Sequence, residues 1–227
     1  MRSWGSRSDT AVVDEPLYAC YLAATGLEHP GREEVLASQS TDWREVAGGL
    51  TGPVPGGRAI FYQKHMAHHL LPGMGREWLD GLQHAFLIRE PRAMLASLLR
   101  VWPEAGLADT GLPQQVELFR RTADRAGRAP AVVDAGGLLA DPPGVLAALC
   151  SALGVAFDPA MMRWDAGPRT EDGVWAPHWY AAVYRTTGFE PPRHEAPAAL
   201  PPSAAGVLRD CEALYAELAE YAVVGGQ

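Results

Sequence analysis

Four short apolar runs punctuate the chain: Thr10-Ala11-Val12-Val13, Ala59-Ile60-Phe61-Tyr62-Gln63, Ala85-Phe86-Leu87-Ile88 and Ala131-Val132-Val133. Their length and β-branched or aromatic content suit buried strands, and Ala85–Ile88 reads as buried on both faces. Helical spacing fills the stretches between them. Residues 1–8 carry the last turn of a helix ending near Gly5, Leu17–Leu22 continue as a helix, and Thr41-Asp42-Trp43-Arg44-Glu45 offers an N-cap with a helix behind it. Pro91 suits a first helical turn, with Leu95, Leu98 and Leu99 recurring behind it. Pro113–Arg128 carries an apolar stripe of Val116, Leu118, Phe119 and Ala123, Pro143–Leu153 ends at Gly154, and an amphipathic helix spans Ser203–Val223. Strand and helix therefore alternate, which predicts an α/β fold with a parallel sheet flanked by helices. The simplest organisation is a single domain over residues 1–227, with 190–202 as a proline-rich linker to the last helix.

In open α/β sheets ligands gather at the carboxyl ends of the strands, so the residues that end the four runs are the candidates for chemistry. The first run stops at Asp14-Glu15-Pro16. Neighbouring carboxylates can hold different protonation states, which suits substrate binding or acid/base work, although one of the two is expected to cap the next helix. The second run stops at Lys64, followed by His65, His68 and His69. Those histidines share one face if a helix starts at once, and two chemistries compete for them, a metal site or a general base beside a lysine, while at least one of the three is expected to be hydrogen-bonded inside the domain. The third run stops at Arg89. The free N–H groups of a helix starting at Pro91 would favour an anion such as phosphate beside it, unless Arg89 merely caps the strand and pairs with Glu90.

Composition sharpens this in two places. Of the nineteen basic residues eighteen are Arg, and Lys64 is the one lysine. Unless it is a chance survivor of an arginine bias, it does something that arginine cannot, such as presenting a compact point charge or shedding a proton. A net charge of −8 argues against a general nucleic-acid binder while leaving room for a local arginine cluster on an anionic ligand. Cys20, Cys150 and Cys211 are odd in number and far apart, which suggests neither a disulfide framework nor a zinc ribbon and fits a reducing cytosol. No apolar run approaches membrane-spanning length, and residues 1–10 lack the hydrophobic segment of a signal peptide. The glycines between Gly48 and Gly57, interleaved with prolines, read as a turn-rich connector, and a Walker-type phosphate loop is excluded by the position of the one lysine.

A strand, Arg89, an acidic residue, Pro91 and a helix carrying Ser97 together resemble the segment with which sulfotransferases bind the 3′-phosphate of the sulfonate donor PAPS. TAVVDEPLYACYL, and the WDAGP and DGVWAPHWY stretches, resemble a bacterial branch of that family. The resemblance covers nearly all of residues 1–189 and implies a P-loop-like fold and transfer of a sulfonate group to a hydroxyl or amine of a small-molecule acceptor. It implies that Arg89 and Ser97 hold the donor, that Arg169 replaces the late arginine loop of the eukaryotic enzymes, and that no metal is needed. It also implies that Lys64 neutralises charge on the sulfonate while a histidine takes the acceptor's proton. Many members read Lys-x-His where this chain reads Lys64-His65-Met66, so His65, His68 and His69 are all eligible. The aromatic residues Trp164, Trp175, Trp179, Tyr180 and Tyr184 would form a loop closing over a ring system, or core packing. The branch's first strand and its Gly-Pro-Arg-Asn-x-Ser-Thr-like loop have no counterpart, so the chain is expected to be truncated at its start, the missing strand belonging between those ending at Lys64 and Arg89. Two alternatives follow: a nucleotide-binding or regulatory protein without turnover, and a metal hydrolase built on the three histidines.

Overall fold

The structure, a computed structural model, describes residues 1–191 and 199–226. The linker predicted for 190–202 falls largely on residues 192–198, outside the described residues. The first 82 residues hold α1 (Arg2–Gly5), β1 (Thr10–Asp14), α2 (Tyr18–Thr25), α3 (Arg32–Ser38), α4 (Trp43–Leu50) and β2 (Ile60–Lys64). There follow β3 (Ala85–Ile88), α5 (Pro91–Val101), α6 (Leu112–Ala126), β4 (Ala131–Asp134), α7 (Ala135–Ala140) and α8 (Pro142–Ala152). A short helix α9 (Ala176–Trp179) and a long one, α10 (Ala205–Ala219), complete the order. Two compact units result: Met1–Leu82 with Asp158–Phe189, and Gln83–Phe157 with Glu190–Gln227. Each contains a pair of parallel strands flanked by helices, the predicted α/β class.

In the first unit β1 and β2 pair in parallel from Thr10 opposite Ile60 to Asp14 opposite Lys64. The three helices between them are the crossover that parallel strands require. The cap predicted within residues 41–45 is Asp42, which accepts from the Arg44 N–H at 2.9 Å, whereas Gly48 and Gly49 belong to the end of α4 rather than to the connector. The core is aromatic: Tyr18, Ala19, Tyr21 and Leu22 of α2 pack with Val35 and Trp175. On the other side Trp4 of α1 stacks on Tyr62 of β2 with ring centroids 5.1 Å apart. The Trp175 ring fits against Gly173, where a Cβ would overlap it.

In the second unit β3 and β4 pair from Ala85 opposite Ala131 to Ile88 opposite Asp134. The chain's last residues add to β4, the Val223 N–H donating to the Val132 carbonyl at 2.8 Å. Leu95 of α5 packs with Ala204 and with Leu208 of α10, and Phe119 of α6 meets Phe86 of β3 and Tyr221. The reading of β3 as buried on both faces is corrected here: Phe86 and Ile88 are buried, but Leu87 is 59% exposed. The run obeys the two-residue period, and only one face of it is covered. Pro91 opens α5 as predicted, and the helix carries a cap that the pattern did not suggest: the Glu90 carboxylate accepts from the N–H groups of Arg92 and Ala93 at 2.9 and 2.7 Å. Glu90→Ala is expected to cost about 1 kcal/mol of stability, as loss of an N-cap does, measured as a lower denaturant midpoint with an unchanged slope. An unchanged midpoint would contradict the cap.

Candidate functional site

The register of the first unit places Asp14 and Lys64 opposite one another at the carboxyl ends of β1 and β2. In a continuing strand Asp14 and Glu15 would point to opposite faces. The chain instead turns at Glu15, which has φ +42°, a left-handed conformation that costs a non-glycine residue about 1–3 kcal/mol. Its backbone is held on both sides. The Glu15 N–H donates to the Lys64 carbonyl at 2.8 Å and its carbonyl accepts from the Tyr18 N–H at 3.0 Å, while Gln39 Nε2 donates to that carbonyl at 3.1 Å. The turn brings both carboxylates to one ammonium.

Lys64 Nζ lies 3.1 Å from Asp14 Oδ1, forms an ion pair with Glu15 Oε1, and donates to the Tyr180 hydroxyl at 2.8 Å. Tyr180 in turn donates to Asp14 Oδ2 at 2.6 Å. The Asp14 side chain is 1% exposed and that of Lys64 26%, so the carboxylate is enclosed and the lysine partly open. Burial pushes the Glu15 carboxyl above its ordinary range, against the pull of Lys64. Burial also works to strip Lys64 of its proton, but the Glu15 and Asp14 carboxylates outweigh it and hold the ammonium above its ordinary value. Two carboxylates facing one ammonium thus hold its proton in place, while burial makes Glu15 easier to protonate than an ordinary glutamate.

Asp14 is therefore no helix cap, as one of the two carboxylates was expected to be. The N-cap of α2 is Leu17, without a side-chain cap, and the Ala19 N–H is met instead by Gln39 Oε1 at 3.1 Å. The single helical face predicted for the histidines is also corrected. Pro72 disfavours helical backbone at Leu71, so little room is left after Lys64, and only a 3-10 turn forms over Ala67–His69. His69 leaves the site altogether: it is 2% exposed and lies between Tyr18 and Tyr21, with both ring centroids 4.7 Å away. Burial, with His68 and Lys64 adding to it, holds its pKa well below 6.5. His68 packs edge-on against Tyr21, and His65 is half-buried, 3.4 Å from the Gln63 side chain. Among the described residues no group of three or more His, Cys, Asp or Glu could hold a metal ion, so the geometry gives the metal-hydrolase alternative no support.

The aromatic residues of the last third divide their roles instead of forming one cluster. Trp175 is core at 2% exposure, Trp164 packs edge-on against Phe189, and Tyr180 belongs to the lysine cluster. Arg169 lies beside α1, reaching Ser6 Oγ at 3.5 Å. Its backbone N–H donates at 2.8 Å to Asp172, which forms a buried ion pair with Arg2 at 2.9 Å.

In the second unit Arg89 is exposed at the carboxyl end of β3, and Ser97 is half-buried on α5. A guanidinium and a hydroxyl there have the chemistry of a phosphate site. The helix N–H groups expected to assist them do not all remain available, because Glu90 accepts from two of them.

Residues 1–217 match a protein family described as a sulfotransferase domain. Two Arabidopsis thaliana proteins are similar over most of this chain. The branched-chain-amino-acid aminotransferase-like protein 1 is 39% identical over 85% of the chain and 34% of its own length. The aminotransferase-like protein 2 is 34% identical over 95% of the chain and 38% of its own length. The chain thus spans little more than a third of these curated relatives. Among solved structures, the sulfotransferase domain from the Synechococcus PCC 7002 olefin synthase aligns with a TM-score of 0.49 at 20% identity, covering 89% of this chain and 74% of that one. The sulfotransferase domain from the curacin biosynthetic pathway aligns at 0.46 and 14%, covering 92% and 79%.

Proposed function

Taking as premise that this chain belongs to the sulfotransferase domain family, we propose that it transfers a sulfonate group from PAPS to a hydroxyl or amine of a small-molecule acceptor. The observation that carries the reading is the Lys64 cluster: the one lysine of the chain ends a parallel strand and is held by two carboxylates and a phenol. PAPS supplies the sulfonate. Charge spreads over the sulfonate oxygens during transfer, and a compact ammonium is suited to neutralise it. When Lys64 turns to those oxygens, Glu15 loses its ion pair and becomes more basic than it is beside the ammonium. The acceptor's proton then passes to Glu15 or to one of the half-buried histidines, His65 and His68, while His69, held neutral in the core, has no part in it. Single replacements separate these: the base is the group whose loss abolishes transfer while donor binding survives.

Arg89 and Ser97 hold the donor's 3′-phosphate in this reading, with Arg169 as a further donor contact. The three cysteines, all buried and none in a disulfide, support a reducing compartment such as the cytosol. The aminotransferase-like names belong to plant proteins of which this chain matches about a third.

Adenosine 3′,5′-bisphosphate is expected to bind more tightly than AMP, which lacks the 3′-phosphate. Arg89→Ala is expected to remove most of the difference, about 1.5–3 kcal/mol for a charge-assisted hydrogen bond, measured by titration calorimetry. Equal affinities for the two nucleotides would contradict the donor assignment. Tight binding without acceptor-dependent turnover would favour the nucleotide-binding, regulatory alternative.

A further inference from the structure

Two adjacent carboxylates that share one ammonium are ambiguous, because either can carry a proton. The cluster contains a group that resolves the ambiguity. A phenol has one proton to donate. The Tyr180 oxygen is 2.6 Å from Asp14 Oδ2 and 3.4 Å from Glu15 Oε1, so that proton lies toward Asp14. The same oxygen accepts from Lys64 Nζ at 2.8 Å, which polarises the O–H bond and strengthens the donation. The Tyr180 ring also faces the ammonium, with its centroid 5.3 Å from Nζ. A hydrogen bond to the charged form of an acid favours that form. Asp14, 1% exposed, thus has the phenol at hydrogen-bond distance and the ammonium 3.1 Å from its other oxygen, while Glu15 has the closer pairing with the ammonium and a strained backbone but meets the phenol only at 3.4 Å.

We propose that Tyr180 is a positioning residue that keeps Asp14 ionised as the permanent counter-ion of Lys64 and leaves Glu15 as the carboxylate that takes up a proton. This deepens the transfer reading by naming the proton's destination within the cluster, yet the assignment can be tested with no donor or acceptor present. Other titratable groups face the cluster: Tyr62 from β2, Tyr18 from α2, the Met1 amino group ahead of α1, Tyr184 beside Tyr180, and His69. The phenols are neutral across the acid range, and burial lowers both the Met1 amine, to about 5, and His69. Those last two are separated from the carboxylates by substitution.

Lys64 makes the experiment selective. A chain labelled with 13C at the lysine ε-carbon gives one side-chain resonance, and that carbon reports through space on both carboxylates. The unmutated protein is expected to show an upper acid-range step that Glu15→Gln removes and a lower one that Asp14→Asn removes. Tyr180→Phe keeps the ring and deletes the phenol, and is expected to raise the lower step toward the upper one. A residue that only packed against the cluster would leave the lower step in place. If Tyr180→Phe does not fold, site-specific 3-fluorotyrosine at position 180 serves instead. Its stronger donation is expected to move the lower step down. An unmoved lower step in either variant, or an upper step that survives Glu15→Gln, overturns the proposal. Loss of sulfonate transfer with these titrations as expected would overturn the transfer reading alone.

Discussion

Lys64→Met is expected to abolish sulfonate transfer and to lower stability at neutral pH by about 3–5 kcal/mol, the usual cost of removing one partner from a buried ion pair. Against a typical domain stability of about 5–15 kcal/mol this is about a fifth of the total or more. The size follows from what is left behind. Asp14, 1% exposed, and Glu15, 10% exposed, would face one another without the cation between them. The loss is expected to depend on pH with a definite sign. A carboxyl whose folded pKa lies above its unfolded value contributes stability that is present in full below the unfolded value and lost as pH rises through the folded one. Glu15 is already raised by burial in the unmutated protein, and removing Lys64 raises it further. The deficit of the variant is therefore expected to shrink as pH falls toward 4.5, and Lys64→Met with Glu15→Gln is expected to be more stable than Lys64→Met alone. Urea unfolding at a series of pH values checks both. A deficit that stays constant across the acid range would show that Lys64 supports the fold through packing and not through charge.

The second large effect concerns His69 and has the opposite sign. Its folded pKa is depressed well below 6.5, burial being the largest cause. A depressed group contributes stability present above its unfolded pKa and lost as pH falls through the folded one. Below about pH 6.5 the protein is thus expected to lose up to about 1.4 kcal/mol per pH unit from this residue. Glu15 gains stability over part of the same range, so the two oppose one another. The measurement belongs in a Glu15→Gln background, where the acid loss is expected to steepen. His69→Phe in that background, which keeps a flat ring between Tyr18 and Tyr21, is expected to flatten it. An unchanged acid slope after His69→Phe would place the proton uptake elsewhere.

The contrast between Lys64 and His69 shows how far local pattern reaches. All four strands were legible as apolar runs, with Asp14, Lys64 and Arg89 at or just beyond their carboxyl ends, because a strand's end is written in the few residues that stop it. The Pro91 start and a cap within residues 41–45 were legible for the same reason. The side of β3 that would be covered was not, since an apolar run says nothing about which elements pack on it. Nor was it legible which of the histidines would go to the core, because a helical face for them needed a helix that Pro72 leaves no room for. Asp14 was expected as a cap since Asp before a helix usually is one, yet the β1–β2 register brings a lysine to it from fifty residues away in sequence. Tyr180 lies farther still, and no spacing in an aromatic stretch marks which ring will turn its hydroxyl to a carboxylate.

The most direct test of the central claim is acceptor-dependent release of adenosine 3′,5′-bisphosphate from PAPS, measured with parallel sets of hydroxyl and amine acceptors for the unmutated chain and for Lys64→Met. The account predicts release that requires an acceptor, yields a sulfonated product and disappears with Lys64. Release that persists in Lys64→Met, or its absence from a chain that binds the donor and is presented with both acceptor classes, would contradict it.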